Sequence, residues 1–172
     1  MAGTPRKVTV VGDPVLAKVS QPVTSFDDAL SALIDDMFAT MEIASGVGLA
    51  APQVGVDLAL FVYDCPDASG TRHVGHVVNP QLVSTSAALD EGEEGCLSVP
   101  GPYHELARPS VATVRGVDKT GAPLEVTGTG FFSRCLVHES EHLKGILYID
   151  HLPRNRRRRV LRDMTPFDWN VG

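Results

Sequence analysis

LVHESEHLKG (136–145) places two histidines, His138 and His142, four residues apart, with Glu139 directly after the first. On an α-helix, positions i and i+4 stand one above the other on the same face, so both imidazoles can reach one metal ion. A metal held this way activates water, and a glutamate beside it can move the proton. H-E-x-x-H is short enough to arise by chance around a buried, hydrogen-bonded histidine pair. Its place in an apolar, helix-forming stretch favours the metal reading. Two histidines still leave a catalytic metal site one ligand short.

Zinc proteases with this pattern complete the site with the last histidine of H-E-x-x-H-x-x-G-x-x-H, or with a glutamate from a later helix. Here Gly145 is in place, but Tyr148 occupies the final histidine position and no glutamate follows Glu141. His151, Asp150, Asp163 and Asp168 remain open, with no pattern to support them. Cys135 shares the helix face but lies seven residues from His142, about 10 Å along the axis, too far for a short side chain to meet the same ion. Cys65, in YDCPD, reads as a packing residue. Cys96 lies in DEGEEGCLSVPG (90–101), where glycines allow an irregular backbone and Pro100-Gly101 ends the segment. A thiolate with two imidazoles leaves one position for water, so Cys96 is the preferred third ligand.

The elements that must position these residues can be read coarsely. FDDALSALIDDMFATMEI (26–43) carries a helical stripe of Phe26, Leu30, Leu33, Ile34, Met37, Phe38 and Met41, with Ser25 as N-cap and Ser45-Gly46 as stop. β-like runs follow at 58–64, 73–80, 82–87, 110–118 and 123–130, divided by Asp-Ala-Ser-Gly, Asn-Pro and Lys-Thr-Gly-Ala-Pro. Connections this short imply antiparallel pairing, because parallel strands need long crossovers. Residues 131–147 read as a helix with Phe131, Cys135, His138, His142 and Gly145 on one face, which turns the metal site toward the core. The outline is α+β: an N-terminal helix, antiparallel sheet, the histidine helix and a basic C-terminal helix, in one domain spanning 1–172.

No apolar run approaches the roughly 20 residues that span a bilayer, so no membrane segment is expected. Three cysteines are too few for a disulfide framework and suit a reduced, cytoplasmic setting. The net charge of −6 hides an asymmetry: RNRRRRVLR (154–162) carries six arginines and no acid, which leaves −12 for the remainder. Such a run is either a solvated helix face or a contact for a phosphate backbone, and the sequence weighs these about evenly.

GVGLAAPQVG (46–55), EGCLSVP (94–100) and HESEHLKG (138–145) resemble, in order and approximate spacing, the three signature motifs of peptide deformylases. GVGLAAPQVG alone would read as a small-residue turn between helix and strand. The resemblance runs from GDPVL (12–16) through YIDHLP (148–153). It implies removal of the formyl group from the formylmethionine of nascent bacterial or organellar proteins, with antiparallel sheets packed around the H-E-x-x-H helix. It implies a divalent metal on Cys96, His138 and His142: iron(II) first, with zinc, nickel or cobalt as substitutes. Glu139 would be the general acid/base, Gln53 and the Leu97 N–H would stabilise the oxyanion, and Gly48 would pair with the substrate backbone. Val47, Phe131 and Cys135 would line the methionine pocket. A monomer is expected, with a ribosomal RNA contact through Arg154–Arg162.

This chain departs from the family pattern at Glu141, where the motif has aspartate, at Val137, where glutamine is common, and at PGPYHEL, which places Tyr103 where some members carry arginine. These departures bear on substrate preference and efficiency more than on reaction type. Two other readings fit the sequence: a related hydrolase for another N-acyl or formyl compound, and an inactive ribosome- or peptide-binding module. The intact set Gln53, Cys96, His138, Glu139 and His142 weighs against the second.

Overall fold

A computed structural model describes residues 3–167. Helix α1 spans Asp28–Ile43 and buries Leu30, Leu33, Ile34, Met37 and Met41. Its cap is Asp27 rather than Ser25: the Asp27 carboxylate accepts the Leu30 N–H at 3.0 Å. Aspartate caps as well as serine and adds negative charge at the positive end of the helix dipole. This start leaves Phe26 outside the helix and 40% exposed, not in the core stripe. At the other end Ser45 takes a φ of 54°, and the Gly46 N–H donates to the Met41 carbonyl.

The strands are β1 (Gly48–Ala50), β2 (Leu60–Pro66), β3 (Arg72–Thr85), β4 (Leu89–Cys96), β5 (Val99–Pro109), β6 (Val111–Val117) and β7 (Pro123–Thr129). Five form an antiparallel sheet in the order β1-β2-β3-β6-β7, and β4 and β5 form a separate hairpin. Runs 73–80 and 82–87 belong to one strand, β3. Asn79-Pro80 is a bulge inside it, with a register shift between Val78 and Gln81. Asn79 stands at a φ of 51° and bonds Val23 through both ends of its amide.

Segment 90–101, expected to be irregular, instead forms nearly all of β4, the turn and the start of β5, with Pro100 and Gly101 inside β5. Acids and glycines are poor strand formers in isolation, and here the partner strand supplies the pairing. Gly95 is needed for the packing, since a Cβ there would come within 2.5 Å of the Tyr103 ring.

Helix α2 spans Phe131–His142 and stops short of the expected 147. Gly145, at a φ of 77°, turns the chain away, and a Cβ there would meet the Ala17 carbonyl carbon at 2.7 Å. Phe132, Cys135, Leu136 and Val137 pack into a core with Ala50, Phe61, Tyr63, Val77, Ala112 and Val114 from the large sheet. A turn of 3-10 helix, Tyr148–His151, leads to α3, Arg154–Arg162, which is anchored by buried Val160. The architecture is α+β, with antiparallel sheets and, among the described residues, three α-helices. No helix among the described residues is long and apolar enough to cross a membrane.

Candidate active site

Helix α2 brings His138 and His142 to one buried face, and the end of β4 brings Cys96 to them. His142 Nε2 lies 3.2 Å from His138 Nε2 and 3.4 Å from Cys96 Sγ. For ligands about 2.0–2.3 Å from a tetrahedral ion, the edges of the tetrahedron are about 3.3 Å for N–N and about 3.6 Å for N–S. Two edges therefore match those of a cation site, and all three ligand atoms lie within 4.8 Å of one another. Among the described residues this is the group of His, Cys, Asp or Glu side chains close enough to hold one. Glu139 Oε1 is buried beside the triangle without a hydrogen-bond partner among the described residues, as is His142 Nδ1 on the far side of its ring.

The other candidates lie elsewhere. His151 donates to Glu141, Asp150 accepts the Leu147 N–H, and Asp163 pairs with Arg162. Asp168 lies outside the described residues. The Cys135 thiol donates to the Val47 carbonyl at 3.6 Å, in the wall of the cleft. Cys65 is buried in the core beneath it.

Gln53 lies in the 3-10 turn Ala51–Val54 that follows β1, and its amide orientation is set by its partners. Oε1 accepts the Ala50 N–H at 2.9 Å, so Nε2 faces the site, 3.2 Å from Ser98 Oγ and 3.6 Å from Cys96 Sγ. Leu97, in the turn between β4 and β5, lines the same cleft. The cleft has a volume of about 340 Å³ and reaches Cys96, His138 and Glu139 at its floor. Val47, Phe131 and Tyr103 line it and are partly exposed to solvent. Gly48 belongs to β1, the edge strand of the large sheet.

Sequence reasoning assigned no role to Glu94 and Arg108. The Arg108 guanidinium grips both oxygens of Glu94 (2.9 and 2.7 Å), Arg134 adds a third bond at 3.1 Å, and His138 Nδ1–H donates to Glu94 Oε2 at 2.7 Å. In the neutral form that a metal ligand requires, that bond leaves His138 Nε2 as the lone-pair nitrogen, which faces His142. Burial opposes the charge on Glu94, but the bonds from Arg108 and His138 outweigh it and hold the carboxyl below its ordinary range. The available signal was Glu94 itself, two residues before Cys96, once that segment is read as a strand. Arg134, Tyr148 and Phe167 were also not foreseen: Arg134 and Phe167 line the cleft, and the Tyr148 ring lies over His138 with centroids 6.2 Å apart.

Burial pushes the Glu139 carboxyl up to about 7 from 4.5, against the pull of His138. Between those values the folded, metal-free chain keeps a proton that the unfolded chain has released, so folding stability falls as pH rises. Glu139→Gln removes that term. From about pH 5 to about pH 8, the metal-free parent should lose ~3 kcal/mol more stability than the variant, read by urea denaturation of both.

The model of the polypeptide deformylase family matches residues 5–158. Peptide deformylase 1 of Streptomyces avermitilis is 56% identical over 165 residues, covering 94% of this chain and 76% of that one. Peptide deformylase 2 of Streptomyces coelicolor is 48% identical, covering 98% and 94%. Among solved structures, the peptide deformylase of Legionella pneumophila superposes with a TM-score of 0.84 at 44% identity, covering 92% of each chain. That of Ehrlichia chaffeensis in complex with actinonin gives 0.87 at 32% identity, covering 92% of this chain and 95% of that one. With the match spanning nearly the whole chain and the cleft carrying the three motifs, this chain belongs to the polypeptide deformylase family.

Proposed function

We propose that this chain, as one catalytic domain over 1–172 and as a cytoplasmic monomer, hydrolyses the formyl amide of N-terminal formylmethionine on nascent polypeptides, releasing formate and a free amine. The observation that carries this reading is the triangle of Cys96, His138 and His142, beside the buried Glu139, in a member of this family. The thiolate and two imidazoles suit iron(II), with zinc, nickel or cobalt as substitutes. A divalent ion held there supplies the Lewis acidity that makes a water molecule nucleophilic near neutral pH.

The chain's own groups do the rest. Glu139 takes the proton from the attacking water and returns it to the departing amine, so one water is consumed and the C–N bond breaks. Gln53 Nε2 and the Leu97 N–H donate to the oxygen on which negative charge develops. The outer edge of β1 at Gly48 pairs with the substrate backbone, as an added strand would. Val47, Phe131 and Cys135 receive the methionine side chain, and the Arg134 guanidinium on that wall is engaged by Glu94 and by the carbonyls of Asp90 and Leu106.

Gly48 also sets the position of the base. A Cβ there would come 2.7 Å from Glu139 Oε2 and 2.8 Å from Cys135 Sγ. Gly48→Ala must displace the Glu139 carboxylate or the backbone that pairs with substrate. It should lose about tenfold or more in kcat/KM with its metal retained, the cost expected for overpacking by one methyl group. Steady-state kinetics with metal analysis checks this.

The reading is tested by formate release from a formyl-Met-Ala peptide, using protein purified without oxygen and loaded with iron(II), beside the acetylated peptide. Release from the formyl peptide alone is expected. Equal rates on both peptides, or none on either, would refute it. The exposed arginines of α3 favour a second proposal, contact with ribosomal RNA. Replacing Arg156 to Arg159 with glutamine should weaken salt-sensitive co-sedimentation with ribosomes, because each lost phosphate contact also reduces the salt dependence. Unchanged co-sedimentation would remove the proposal.

A further inference from the structure

Glu141 stands where the family motif carries aspartate, and the structure gives its carboxylate two partners. On one side Arg108 Nη1 donates to Oε1 at 2.9 Å. On the other, His151 Nε2 donates to the same carboxylate at 2.9–3.0 Å. Each contact leads to His138. Arg108 uses its remaining nitrogens, Nε and Nη2, to hold Glu94, and Glu94 accepts the His138 Nδ1–H. His151 closes the turn Tyr148–His151, whose Tyr148 ring lies over the His138 imidazole. One path constrains the edge of the ring through a hydrogen bond, and the other constrains its face by packing.

Charge balance supports the same role. Glu94, Arg108 and Arg134 are buried and linked by ion pairs, which leaves one excess positive charge that Glu141 cancels. Without Glu141, Arg108 would keep a buried positive charge with one carboxylate shared between two arginines. A carboxylate withdrawn by one methylene, about 1.5 Å, could keep one of its partners but not both at hydrogen-bond distance.

We propose that Glu141, with His151, is a positioning residue that braces the imidazole of His138 from two directions and so slows loss of the metal. The proposal rests on the metal-binding role given to His138 above. Loss of an outer partner of a metal-ligating histidine lowers metal affinity or activity by about 10–100-fold. Glu141→Ala should release cobalt(II) about 10–100-fold faster than the parent and lower kcat to a similar extent, with KM within about twofold. His151→Ala should move both quantities the same way by a smaller factor. The double variant should be no worse than Glu141→Ala by more than about twofold, because both changes break the same path. Glu141→Asp should recover part of the loss.

Cobalt release is followed by competition with a chelator and needs no substrate. A parent that holds cobalt but releases no formate would sink the deformylase reading and leave the brace to be decided by cobalt release. A parent that holds no cobalt would overturn both. If Glu141→Ala does not fold, the half-exposed His151 decides: faster cobalt release from His151→Ala supports the brace, and an unchanged rate overturns it. Losses that multiply in the double variant, or a lowered Tm with cobalt release and kcat unchanged, would also overturn it.

Discussion

Glu139→Ala is expected to bind metal like the parent and to release formate about 10²–10⁴-fold more slowly. Glu139 is not part of the Cys96, His138 and His142 triangle, and its Oε2 lies 3.9 Å from His138 Nε2. Removing it therefore leaves the donor set complete. What is lost, on the mechanism proposed above, is the group that accepts a proton when water attacks and returns it when the amine leaves. In the metal-free chain burial raises the carboxyl to about 7, and a divalent cation in the triangle would pull it back down, which leaves a buried carboxylate able to take a proton. Glu139→Gln keeps the shape and removes only the titration, so it should be as slow as the alanine variant. Metal content by elemental analysis beside kcat for both variants checks this. A glutamine variant near the parental rate would withdraw the role from Glu139.

Cys96→Ala should lose both metal and turnover. Two imidazoles remain, and at neutral pH two ligands hold a divalent ion far more weakly than three when one of the three is a thiolate. Formate release should fall by about 10³-fold or more after dialysis against a chelator, and adding metal back should restore the parent but not the variant. Cys135→Ala is the control. Cys135 is buried in the cleft wall with its thiol on the Val47 carbonyl. The neighbouring Cys65 and burial hold that thiol protonated, so it is a poor ligand. The control should keep its metal and change mainly KM for methionyl substrates. If Cys96→Ala kept a full complement of metal, Cys96 would lose its assignment as the third ligand.

Much of the site could be read before the fold was known. His138, Glu139 and His142 were legible because i and i+4 positions meet on any helix, whatever it packs against. Cys96 emerged by elimination although it lies 46 residues from His142, and its strand was misread as irregular because acids and glycines surround it. The ends of α1 and α2 shifted by a few residues, toward an aspartate cap and a glycine stop that compete well with the signals chosen. Glu141 was noticed as a departure, but its partners were not foreseen. Arg108 and His151 lie 33 and 10 residues from it, and nothing in local spacing connects them.

The sequence by itself therefore determined the candidate reactive side chains, the helix that carries two of the candidate ligands and the family to which their motifs belong. These depend on residue type and on spacing within a few turns of chain. Tertiary structure alone decided how far the ligands stand from one another, which nitrogen of His138 faces the site, and how Glu94, Arg108, Glu141 and His151 converge behind it. Those relations arise where β4, β5, α2 and the Tyr148–His151 turn pack together. Burial then sets the strength of every charge among them, and burial is a property of the folded chain.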